Sequence, residues 1–129
     1  MGISNLPLFA ALTDKMRWHQ ARQGLLAENV ANAETPGFRG NDLAAYSFDK
    51  ALSTISTKAT VPGHISVTTS GTEAFAAHRS ASFEVTPEGN GVTLEDEMMK
   101  VAQNQLDFQT VTGLYSKSMR ILKVALGKG

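Results

Sequence analysis

The strongest constraint on this chain is a run near its C-terminal end that repeats in alternating steps of four and three. Leu94, Met98, Val101, Gln105, Phe108, Thr112, Tyr115, Met119, Leu122 and Leu126 follow that alternation without a break. Steps averaging 3.5 residues lay one stripe along one side of an α-helix, at the a and d positions of a coiled coil. No proline interrupts the run, and Gly113 is its only glycine. The spacing predicts a helix from about Thr93 to Leu126. Thr93 with Asp96 fits a loose capping box. Glu95, Asp96 and Glu97 at the start, and Lys117, Arg120 and Lys123 toward the end, complement the helix dipole. Gly127 supplies a stop.

Such a helix would be about 50 Å long. A compact 100-residue domain has a radius of gyration of about 13 Å, so the helix must protrude, pair with another helix, or do both. A second apolar stripe, Leu106, Leu114, Ile121 and Val124, lies off the first. One partner helix cannot cover two stripes, and the surplus points to contacts with other chains.

The same alternation appears near the other end. Phe9, Leu12, Met16, His19, Gln23, Leu26, Val30 and Ala33 predict an amphipathic helix over about Leu6 to Ala33, with His19 and Gln23 as polar interruptions. Pro7 suits a first helical turn, where its missing N–H costs nothing. Pro36 disfavours helical geometry at Thr35, and Pro36-Gly37 fits the centre of a type II turn. A hard corner follows, with Phe38 placed to pack back. Between the two helices the pattern is weaker. Asp42 to Ile55 reads as a short helix, Ile65–Thr69 and Ser82–Thr86 as short strands, and Ser70 to Ala81 as a polar, mobile stretch. Pro87 to Gly91 is a turn cluster. The chain thus divides into 1–38 (helix and corner), 39–92 (irregular middle) and 93–129 (long helix). The expected fold is mainly α: two long terminal helices forming a coiled-coil-like hairpin, with a middle that has room for a short helix and a small β-hairpin.

Composition narrows function by exclusion. Lysine and arginine number 12, and so do aspartate and glutamate, giving a net charge of zero over 129 residues. Nucleic-acid modules usually carry a basic excess, so no nucleic-acid partner is expected. The absence of cysteine removes disulfides, cysteine zinc sites and thiol nucleophiles. His19, His64 and His78 show no ligand spacing, and no phosphate loop or nucleophile elbow appears. The expectation is a non-enzymatic protein with no catalytic residues, metal, cofactor or small-molecule substrate. No cleavable signal peptide is visible at Met1 to Leu12.

Two segments carry a resemblance. Leu26-Ala27-Glu28-Asn29-Val30-Ala31-Asn32-Ala33-Glu34-Thr35-Pro36-Gly37-Phe38-Arg39 resembles the N-terminal signature of the bacterial flagellar axial proteins, in which an Asn-x-x-Asn pair precedes a Thr-Pro-Gly corner. Gly89 to Met98, continued by Gln103 to Gln109, resembles the opening of the C-terminal helix in flagellar basal-body rod proteins. Glu34 and Phe38 stand where the signature has aspartate and tyrosine. Short length makes the chain most similar to the FlgB-type proximal rod proteins, with a FlgC-like paralogue as the alternative within the family and a soluble coiled-coil adaptor outside it.

The resemblance implies a structural subunit of the tubular drive shaft, which transmits torque and surrounds the export channel. It implies residence in the periplasmic rod after type III export without a cleaved signal. The implied partners are other rod proteins, sister copies, the membrane-ring and adaptor proteins of the basal body, and the export apparatus. Assembly seams would then run along Phe9, Leu12, Met16, Leu26 and Val30, and along Leu94, Met98, Val101, Phe108, Tyr115, Met119, Leu122 and Leu126. The second stripe would face other chains. Asn29, Asn32, Thr35, Pro36, Gly37 and Phe38 would form the signature corner, the asparagine amides fixing helix register as a buried asparagine does in coiled coils. The ends of the isolated chain would order fully on assembly.

Overall fold

The computed structural model describes residues 6–48, 75–80, 87 and 89–127. Two long helices dominate, α1 (Pro7–Ala31) and α2 (Leu94–Ala125). They lie antiparallel: Phe9 meets Tyr115 with ring centroids 5.3 Å apart in an edge-to-face pair, and Asn29 at the far end meets Glu97. The expected mainly α hairpin of long terminal helices is the observed fold.

Local chemistry sets the helix ends. Proline occupies the first turn of α1, and the Leu6 carbonyl accepts the first helical hydrogen bond from Ala10 N–H at 3.0 Å. At its far end Asn32 donates its Nδ2 to Glu28 O at 2.9 Å and accepts from Thr35 Oγ1 at 3.2 Å. The corner then turns as the sequence predicts. Phe38 N–H reaches Thr35 O at 3.1 Å, and Gly37 takes φ +74°, the left-handed geometry that a type II turn needs at its third residue. Helix α2 ends with Gly127 at φ +75°. The capping box at its start is not made: Thr93 forms no side-chain cap and serves through its carbonyl, which accepts from Glu97 N–H at 3.1 Å.

The middle departs from expectation. Asn41–Leu43 is a strand, β1, where a short helix beginning at Asp42 was expected; the remainder of that helix, after Phe48, lies outside the described residues. Side-chain hydrogen bonds from α1 hold this backbone extended, which a helix would not allow. The partner of β1 is β2 (Ala77–Arg79), in antiparallel register with Asn41 opposite Arg79 and Leu43 opposite Ala77. Strand β2 falls within the stretch expected to be mobile, and the expected strands Ile65–Thr69 and Ser82–Thr86 lie outside the described residues.

The core is small and sits between α1, β1 and α2. Phe9, Ala11, Leu12, Trp18, Leu26, Leu43, Val92 and Val111 are its buried apolar members. Each large side chain among them stabilises the fold by about 1.5–3 kcal/mol relative to exposure. Trp18 is a packed core residue. Its Nε1 donates to Ala44 O at 2.9 Å, and Arg22 lies over its ring.

Candidate functional site

The signature corner is built around Asn29. Its side chain is buried on α1 and bonds to two other elements. Nδ2 donates to Asn41 O at 2.8 Å and to Glu97 Oε2 at 2.8 Å, while Oδ1 accepts from Asn41 N–H at 3.0 Å. One amide therefore completes the backbone of β1 as a neighbouring strand would, and ties α1 to the first turn of α2. Glu97 passes the connection on: its Oε1 accepts from Lys100 Nζ at 2.8 Å, and Lys100 also donates to Ser80 Oγ at 2.9 Å. Gly40 makes this approach possible. A Cβ there would stand 3.2 Å from the Asn29 side chain and 3.2 Å from Val92 Cγ2.

Asn32 behaves differently. Three residues on, it is half-buried and, among the described residues, bonds within the end of its own helix and the corner. The two signature asparagines divide the work: Asn29 joins elements, and Asn32 closes α1. Across the corner, Asn90 Nδ2 donates to Ala33 O, its Oδ1 accepts from Val92 N–H at 3.1 Å, and Gly91 N–H donates to Phe38 O at 3.0 Å. The turn cluster before α2 is thus stitched to the Thr-Pro-Gly corner, whose Thr35, Pro36 and Gly37 are exposed while Phe38 is half-buried.

A second polar lock lies farther along the helix pair. His19 is buried with Nδ1 2.7 Å from Asn104 Oδ1. Asn104 Nδ2 donates to His19 O and to Gln23 Oε1, each at 2.9 Å. That leaves Oδ1 to accept, so Nδ1 of His19 carries the proton. Beside the lock, Arg22 grips Asp42 with two bonds of 2.8 and 2.9 Å. Burial works to raise the Asp42 pKa, but the hydrogen bonds from Arg22 and from Leu43 N–H outweigh it, and the carboxyl sits below its ordinary range. The bond to Asp42 holds the Arg22 guanidinium above its usual value. Tyr46 Oη lies 3.1 Å from both Ala11 O and Asp14 Oδ2; burial first, then the charge of Asp14, raises the phenol.

The seam between the helices is therefore partly polar, and its phase on α2 differs from the predicted stripe. Val101, Phe108 and Tyr115 are half-buried against α1, as one column of that stripe, and Leu122, the next residue of the column, is half-buried beyond the start of α1. The column alternating with them is Glu97, Asn104, Val111 and Ser118, of which the first three are buried. Of the other seam residues, Met119 is half-buried, whereas Leu94, Met98 and Leu126 are exposed. On α1, Phe9, Leu12 and Leu26 are buried, and Met16 and Val30 half-buried. Val30, Met98 and Val101, with Gln23, Ala27 and Ala31, line an apolar groove of about 380 Å³ beside the seam. Sequence reasoning missed Glu97 as a buried partner, reading it as a dipole charge. A buried asparagine on α1 is the signal that asks for a polar partner opposite it.

The second stripe lies on the far side of α2, with Leu106, Leu114, Ile121 and Val124 each 50–65 % exposed. Because Phe9 is level with Tyr115, the turns of α2 that hold Ile121 and Val124 run past the start of α1. Among the described residues no group of three histidine, aspartate or glutamate side chains could hold a metal ion, and no helix is long and apolar enough to cross a membrane. No protein-family model matches the chain, and no curated protein matches it.

Proposed function

We propose that this chain is a non-enzymatic structural subunit of the bacterial flagellar proximal rod, joined to sister and neighbouring rod subunits through its terminal helices. The observation that carries this reading is the joint at the signature corner. The segment that resembles the axial proteins is the segment where one buried asparagine locks both helices and a strand together. A rod under torque needs helices whose register cannot slip, and polar residues inside an apolar seam fix register. The uncovered stripe on α2 supports the same reading, since an apolar face of that length is a surface for further chains.

The test is genetic. Disrupting the gene in a flagellated bacterium that carries it should abolish swimming and leave basal bodies without a rod in electron micrographs. The unaltered gene should restore both, and Ile121→Asp should not. Normal motility with complete rods in the disrupted strain would overturn the proposal.

A further inference from the structure

The outer face of α2 shares Leu106 and Val124 with the stripe described above and adds an order of charge that the rod reading does not use. Along its centre stand Glu95, Met99, Leu106, Gly113, Arg120 and Val124, all exposed. Acidic residues occupy the beginning of this face and basic residues its end. At the middle sits Gly113: among the described residues a Cβ there would meet nothing within 4 Å, and its φ is not positive. Glycine lowers helix propensity, so its place at the centre of a long helix calls for a contact from outside.

We propose that this face pairs antiparallel with the same face of a second copy, forming a closed two-fold dimer. Seating Leu106 of one copy over the partner's Gly113 repeats the contact by symmetry, a large side chain into an open backbone on each side of the axis. That register sets Glu95 opposite the partner's Val124, beside Lys123 and one turn from Arg120. Acidic start then meets basic end at both extremities. Parallel pairing would set Glu95 against Glu95 and Arg120 against Arg120, so the charge pattern selects the antiparallel form. Such a contact is isologous and stops at two copies, unlike the head-to-tail contacts that build a filament. It covers Met99, Leu106 and Val124 in a chain that is not in an assembly. The dimer is a solution property and stands apart from the rod reading, which is tested in cells.

Sedimentation equilibrium of the full chain should show monomer and dimer, with no larger species. Arg120→Glu should weaken dimerisation about tenfold, since it reverses two symmetry-related exposed pairs. Glu95→Lys should weaken it by a similar factor, and a mixture of the two variants should recover it. Orientation is read by cross-linking, helped by the absence of natural cysteine. A mixture of Leu106→Cys and Gly113→Cys chains should form disulfides across variants several-fold faster than either alone. Circular dichroism of each variant checks that the helices remain. A monomer at every concentration, a higher oligomer, or faster self-linking than cross-linking would overturn the proposal.

Discussion

The two ends of the helix pair are held by different chemistry. At the corner end, Asn29, Glu97, Asn41 and Lys100 make directional bonds that exist in one register only. At the open end, where α1 starts and α2 runs on, Phe9, Tyr115 and Val111 pack as apolar surfaces, and Ile121 and Val124 remain uncovered. The difference teaches that register and association are separate tasks. Polar groups buried at one end specify how the chain pairs with itself, while apolar groups exposed at the other are left to pair with something else.

Variants at the two ends sharpen this contrast. Asn29→Ala should have the largest effect, about 3 kcal/mol of lost stability in urea unfolding. It leaves the buried Glu97 Oε2 without its partner, with Lys100 still on Oε1, and leaves the Asn41 N–H and C=O without their side-chain partner. Asn104→Ala, which removes the bonds to His19 and Gln23, should cost about 2 kcal/mol by the same measurement. Next comes acid. The folded carboxyl of Asp42 lies below its unfolded value of about 3.9, so its contribution is present above that value. It is lost as pH falls through the folded value. The loss should be about 1 kcal/mol, seen as a drop in melting temperature below about pH 4 that Asp42→Asn does not share. The smallest stability effect should be that of Ile121→Asp, within about 0.5 kcal/mol, although the same change should abolish assembly. If Ile121→Asp cost as much as Asn29→Ala, the division between the two ends would fail.

Much of this architecture is legible in the sequence. The heptad alternation located both helices, and Pro36-Gly37 located the corner, because each depends on local geometry that few residues can supply. The phase of the seam on α2 was only half legible. The pattern of apolar residues selects Met98, Gln105, Thr112 and Met119 as the column beside Val101 and Phe108, but the inward column is Glu97, Asn104, Val111 and Ser118. Only Val111 in that column is apolar, so a hydrophobic pattern cannot find it; the partners of Asn104 and Glu97 on α1 decide it. Strand β2 was illegible for a different reason. Ala77, His78 and Arg79 are all exposed, and pairing with β1 leaves no alternation in the sequence. The role of Gly40 was equally hidden: its missing side chain makes room for Asn29, a contact between elements that no local pattern announces.

The most direct test of the division is amide hydrogen exchange on the chain at low concentration and again in an assembled form. At low concentration, slow exchange should be confined to the paired turns, around Leu12 to Ala31 and Glu97 to Val111, with fast exchange beyond Met119. Assembly should extend the slow zone through Val124. Uniform protection along the whole of α2 in the dilute chain would contradict the account.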